Sequence, residues 1–186
     1  FLGKIAYERG NFPKALNWFA PYLKINYSPM LRLRANQWTG AIQNSMGNPA
    51  IARHHYQAAL NLAKTDADRR ATLWSLVRLA LDQNNFFEAV QYLPTLVSLT
   101  SEPKVRQKLK QRTVNLIFLN LNLPKIELLM QQMKSGFPAG YLAIRRAQLL
   151  INKKEPKTAH IQLKKFLALF KNHPLEKKAR KLVHSI

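Results

Sequence analysis

The sequence predicts an all-α chain, a stack of about five helical hairpins closed by a C-terminal capping helix. Three observations carry that prediction: the composition, a period of about 37 residues, and breakers placed between helical stretches. Of 186 residues, 47% are hydrophobic, while only 6 are Gly and 10 are Pro. That supply of apolar surface is enough for a substantial core. Its abundance of Leu, Ala, Lys, Gln and Asn suits helices better than strands.

The period is visible unit by unit. In residues 1–29, Leu2-Gly3, Ala6, Gly10, Phe12, Ala15, Phe19 and Leu23 follow the spacing of a helix, a tight turn at Gly10-Asn11 and a second helix. Residues 30–66 repeat it with Gly40, Gly47, Ala52, Tyr56, Ala59 and Leu60. In residues 67–103 the equivalent steps are Leu73, Leu76, Ala80, Asn84, Phe86, Ala89, Leu93 and Val97, with Asn84-Asn85 where a left-handed residue is tolerated. Residues 104–136, around Phe118, Asn122, Pro124 and Glu127, are degenerate. There Glu127 stands in for the small residue that lets paired helices approach, so looser packing is expected. Residues 138–173 recover the pattern with Ala147, Leu150, Lys154, Ala159, Leu163, Phe166 and Leu167, and residues 174–186 form the cap.

Breakers agree with this division. Ser28-Pro29, Asn48-Pro49, Thr65-Asp66, Ser101-Glu102-Pro103, Gly136-Phe137-Pro138 and His173-Pro174 each fall between helical periods. None resembles an interdomain linker, and the chain is expected to be one repeat domain. It opens at Phe1, without an initiator Met and directly on a helical pattern, which is expected of a piece of a longer protein.

These residues resemble the tetratricopeptide repeat, whose pattern runs Leu-Gly, a small or aromatic residue, Gly-x-aromatic-x-x-Ala, and a Pro ending the second helix. The match is closest from Leu2-Gly3 to Ser28-Pro29 and weakest in residues 104–136. The resemblance implies a right-handed α-solenoid in which each hairpin buries its two apolar faces against its neighbours. It also implies that the first helix of each hairpin lines a concave groove. The groove positions are then Tyr7 and Glu8; Arg34, Gln37, Ala41 and Asn44; Ala71, Trp74 and Arg78; Arg112 and Leu116; Tyr141, Ile144 and Gln148. Of these, Arg34, Gln37, Asn44, Trp74, Arg78 and Arg112 are the candidate partner-binding groups. Arg and Asn bind carboxylates and peptide backbone, and Trp supplies contact area, although Trp74 also fits ordinary repeat packing. The family's carboxylate clamp is only partly filled, since Arg34 matches one basic step and the preceding unit offers only Lys4. A cochaperone role is disfavoured.

Charge points to a second surface. Lys and Arg total 30 against 9 Asp and Glu, a formal net charge of +21. Residues 104–186 hold 19 of the bases and 3 of the acids. Such a field attracts polyanions. In the run Lys104-Val-Arg-Gln-Lys-Leu-Lys-Gln-Arg112, helical spacing puts Lys104, Lys108 and Arg112 on one stripe and Arg106 with Lys110 on another. This anionic-surface patch fits nucleic acid, a glycan polymer, membrane headgroups or an acidic protein; it equally fits a solvated helix face. Aromatics are not interleaved with these bases as a stacking platform requires.

Chemistry finds no constellation. Cys is absent, which removes disulfides and thiolate sites. Asp66 and Asp68 read as helix capping. Adjacent His54 and His55 point about 100° apart on a helix and cannot share a metal; His160, His173 and His184 have no carboxylate neighbour in sequence. No metal, cofactor or catalytic residue is expected. The most apolar stretch, Leu116 to Leu123, is too short and too Asn-interrupted for a bilayer.

A non-catalytic protein–protein scaffold is therefore the leading expectation, with a protein or peptide in the groove. The alternative is a binder of nucleic acid or another anionic polymer through the basic half. Phe166 to Leu175, Phe-Leu-Ala-Leu-Phe-Lys-Asn-His-Pro-Leu, is similar to an ending seen in bacterial envelope repeat proteins, including the N-terminal domains of penicillin-binding-protein activator lipoproteins. That similarity implies a periplasmic or cell-envelope setting, the cytoplasm being the alternative.

Overall fold

The computed structural model describes residues 2–24 and 26–186, and among them the all-α expectation holds: eleven α-helices, one short 3-10 helix and no strand. The chain forms two compact units, Phe1–Ser101 and Glu102–Ile186. The first contains α1 (Leu2–Glu8), α2 (Phe12–Phe19), α3 (Pro29–Ser45), α4 (Pro49–Leu62), α5 (Asp66–Asp82) and α6 (Phe86–Ser98). The second contains α7 (Pro103–Asn120), α8 (Leu123–Gln132), α9 (Ala139–Asn152), α10 (Pro156–Leu169) and α11 (Glu176–His184).

Local chemistry fixes where helices begin. Side-chain oxygens of Asn11, Ser28, Thr65, Asn85 and Asn122 accept backbone N–H groups of the first turns of α2, α3, α5, α6 and α8. This satisfies donors that a helix start otherwise leaves open. Proline stands in the first two positions of α2, α3, α4, α7, α8 and α10, where its missing N–H costs nothing.

Four of the connections share one geometry. Gly10, Gly47, Asn84 and Lys154 have φ of 73°, 78°, 54° and 62°. The next residue in each case donates its N–H five residues back: Asn11 to Ala6 O, Asn48 to Gln43 O, Asn85 to Ala80 O and Glu155 to Leu150 O, at 2.8–3.0 Å. This is the Schellman arrangement, which satisfies the last carbonyls of one helix while reversing the chain. Four residues after each of these caps stands Ala15, Ala52, Ala89 or Ala159, all fully buried. An alanine there lets the second helix lie close against the first.

The α7–α8 connection departs from this. Leu121 is extended (φ −103°, ψ 132°) and buried, and the residue four beyond Asn122 is Ile126, fully buried. Glu127, expected at the spacer step, lies one residue further on and turns to Arg146 of α9, whose Nε donates to Glu127 Oε1 at 3.0 Å. The spacer step is therefore held by a buried isoleucine and not by a charge. α7 and α8 approach far less closely than the other paired helices, and α9 becomes the hub of the second unit, packed on α7, α8 and α10.

In the first unit each helix packs on the next, and α3 also touches α5. The most extensive packing is α3 on α4, where a Cβ at Gly40 would lie 2.8 Å from the Tyr56 ring. Polar ties cross between hairpins. Arg53 of α4 donates to Glu88 Oε1 and Gln83 Oε1, both at 2.8 Å, and Asn85 Nδ2 donates to Glu88 Oε2 at 2.9 Å. Buried Glu88 is thereby paired, as a buried carboxylate requires.

Candidate functional site

The first helices of the first three hairpins, α1, α3 and α5, present a common partly open face. Helical spacing puts Arg34, Gln37, Ala41 and Asn44 on one side of α3, opposite buried Ala35, Thr39 and Ile42. On α5 the exposed stripe is Ala71, Trp74, Arg78 and Asp82, opposite buried Leu73, Leu76, Val77 and Ala80. This follows from two hydrophobic sides per helix: one packs on the partner helix, another on the adjacent hairpin, and one remains.

A cavity of about 210 Å³ opens on that face, lined by Tyr7, Ala41, Asn44, Ser45, Tyr56, Ser75, Arg78 and Leu79. Tyr7 Oη and Ser45 Oγ are 3.0 Å apart and share a hydrogen bond across α1 and α3. Tyr7 also meets Trp38 edge-on, with ring centroids 5.8 Å apart. Burial pushes the Tyr56 hydroxyl above its ordinary value of 10.0, against an opposing hydrogen bond with Ser75. It is a neutral donor and acceptor at the cavity floor. Arg78 is the exposed cation: its side chain is 82% exposed, and its ion-pair partner is Asp82 at 3.8 Å. An exposed pair of this kind holds little energy, so the guanidinium can exchange partners.

The sequence-derived site residues divide. Asn44 and Arg78 come together in the cavity. Trp74, 40% exposed, sits one helical turn before Arg78 and outside the lining, which makes it an apolar shelf beside it. Arg34 and Gln37 share the face but are engaged: Arg34 donates to Gln37 Oε1 at 3.0 Å and to Asp68 Oδ1 at 2.9 Å, and Gln37 donates to Thr72 Oγ1 at 2.8 Å. They brace α3 against α5. Arg112 belongs to the second unit. There, Leu116 and Ile144 are buried, so those two groove positions face the core. Ser45, Tyr56 and Ser75 were not among the expected groups; small hydroxyls at helical spacing carry no signal until the helices are placed.

The basic run of α7 also divides. Lys104, Lys108 and Arg112 are exposed along one stripe and have no ion-pair partner among the described residues. Arg106 and Lys110 are half-buried, with Lys110 Nζ 6.0 Å from the Phe137 ring centroid.

The histidines take structural places. His54 points outward and His55 inward, where its Nδ1 lies 2.9 Å from Asn36 Oδ1. Burial, then the neighbouring His54, lowers His55 from its ordinary 6.5. Thr65, not Asp66, caps α5, and Asp68 answers it by accepting from Thr65 Oγ1 at 2.8 Å. Among the described residues no cluster of three His, Asp or Glu is arranged for a metal ion, and no helix is long and apolar enough to cross a membrane. Comparison of the chain with protein-family models and with curated proteins gives no match.

Proposed function

We propose that the chain is a tetratricopeptide-like right-handed α-solenoid that works without catalysis, as a scaffold holding a peptide or partner protein on the face of α1, α3 and α5. The observation that carries this reading is the cavity in which Tyr7, Asn44, Ser45, Tyr56 and Arg78 converge from four helices. At about 210 Å³ it is smaller than the roughly 300–1,000 Å³ of small-molecule sites. It suits one side chain or a stretch of peptide backbone. Arg78 supplies a charge-assisted bond to a carboxylate or carbonyl. Asn44 can donate and accept, as an extended peptide demands. Trp74 gives the apolar contact area on which binding energy concentrates. A bacterial cell-envelope setting is part of the proposal and is supported by the similarity of Phe166 to Leu175.

The test places a photo-crosslinking residue at Trp74 and captures partners at about 0.1 M and about 0.5 M salt, the second strongly screening exposed charge. A single partner peptide, crosslinked at both salts and lost with Arg78→Glu, is expected. Capture of polyanions alone, released by salt and abolished by Lys108→Glu, would overturn the reading. It would favour anionic-polymer binding through the second unit, which the unpaired row Lys104, Lys108 and Arg112 supports.

A further inference from the structure

The second unit holds an apolar socket that the scaffold face does not use. Met130 and Met133 from the end of α8, Ala143 from α9, and Phe166 and Leu169 from the end of α10 line a cavity of about 230 Å³. Phe166 is buried to 1% and forms part of the core beneath, whereas Leu169 is 75% exposed. Two exposed lysines, Lys134 and Lys165, border it. A third polar group, Gln162, is already occupied by Arg146 Nη1, which donates to it at 3.1 Å.

We infer that this socket receives one large apolar side chain from an acidic segment of a partner protein. Three observations fix that occupant. Its size is below that of small-molecule sites and of the order of a single anchor residue. Its walls are two flexible thioethers, the rings of Phe166 and Phe170 and the aliphatic Leu169, a surface that adapts to an apolar anchor and keeps its two charges at the rim. Its electrostatics are one-signed: no acid lines it, and neither Lys134 nor Lys165 has an ion-pair partner among the described residues. The unit's carboxylates are placed elsewhere. Glu127 is held by Arg146 and Glu176 by Arg180, Glu155 stands at the far end of α10, and Glu102 precedes the first turn of α7. An acidic flank on the incoming segment therefore meets two free ammonium groups while its apolar residue covers Leu169. The inference is independent of the α1, α3 and α5 face, which lies in the other unit.

The methionines make the test direct. The chain has 4, of which Met30 and Met46 lie in the first unit and Met130 and Met133 in the socket. With methionine methyl groups labelled by carbon-13, the intact chain is titrated with the peptide Glu-Glu-Leu-Phe-Glu-Glu and with its twin Glu-Glu-Ser-Ser-Glu-Glu. The Leu-Phe peptide is expected to move the Met130 and Met133 signals and leave Met30 and Met46 still, and the Ser-Ser twin to move none. Lys134→Glu with Lys165→Glu weakens binding about tenfold or more, as rim charges of the wrong sign do. Leu169→Ser, at an exposed position that folding does not need, weakens it too, and Lys108→Glu does not. The inference fails if Met130 and Met133 stay still, if both peptides move them alike, or if Lys108→Glu weakens binding as much as the socket pair. It fails equally if anionic lipid vesicles or a uridine oligonucleotide move the same signals and the Leu-Phe peptide does not compete.

Discussion

The α3–α4 and α7–α8 connections stand at the same step of the period, and they hold their helices differently. At the first, Gly47 takes a left-handed conformation, Asn48 N–H returns to Gln43 O at 2.9 Å, and Ala52 offers no bulk. There α3 and α4 pack more extensively than any other pair. At the second, Asn122 still caps its helix by accepting from Lys125 N–H at 3.3 Å. Leu121, however, is extended and buried, and Ile126 occupies the spacer position. The cap is retained and the closure is lost. Capping decides where a helix starts; the left-handed turn and the small residue decide how close it lies to the one before.

Ile126→Ala tests this most severely. Ile126 has no exposed surface, and removing such a side chain costs about 2–5 kcal/mol when the cavity persists. A loss in that range by chemical denaturation would mean that the extended Leu121 turn holds α7 and α8 apart. A loss well below it, with spin labels on α7 and α8 moving closer, would mean that the isoleucine alone was the spacer.

Ala52→Ile is the converse and has a smaller expected effect. It places the α8 residue into a hairpin whose Gly47 turn is intact. Overfilling a fully buried alanine position costs about 1–3 kcal/mol through displaced neighbours. If denaturation shows no loss, small residues do not control closure in this chain, and the turn must.

Much of this was legible. Gly10, Gly47, Asn84 and Lys154 all lie on the repeat, and their chemistry or their position marks the turns. The spacer of the fourth hairpin was misassigned by one residue, to Glu127, because a charge looked like the reason for degeneracy. Counting four residues from the Asn series 11, 48, 85 and 122 gives Ile126. The site was less legible, for a reason of distance along the chain. Arg34 looks free until Asp68, nearly one period later, is beside it, and Ser45, Tyr56 and Ser75 come from three helices. The Lys134 and Lys165 socket has no sequence signature, since its walls belong to the ends of separate helices.

The smallest effect concerns how each unit holds a histidine. His55 in the first unit faces an acceptor, Asn36 Oδ1, so its Nδ1 carries a proton already and a second proton on the ring leaves that bond in place. His173 in the second faces a donor. Leu175 N–H donates to its Nδ1 at 3.1 Å, and a protonated Nδ1 would set one N–H against another. The ring is also enclosed by Tyr141, with centroids 4.5 Å apart, and by Phe166 at 5.2 Å, above Gly140, whose missing Cβ makes room for it. Burial accordingly lowers His173 from its ordinary 6.5. The unfolded chain then binds the proton first, so this stabilisation is complete above about pH 6.5 and is lost as pH falls through the lower folded value. Nearby Glu176 does not compensate, because its hydrogen bond from Arg180, and next that from Asn172 N–H, hold it below the usual carboxylate range. His173→Asn can keep the Leu175 bond as an Asx turn while removing the titration. Between about pH 7.5 and about pH 5 the native chain should lose more thermal stability than this variant, the difference cancelling His55 and every other group the two share. Equal losses would mean that His173 takes up its proton as readily in the folded chain as in the unfolded one, and that the Leu175 bond is not a point where proton binding opposes the fold.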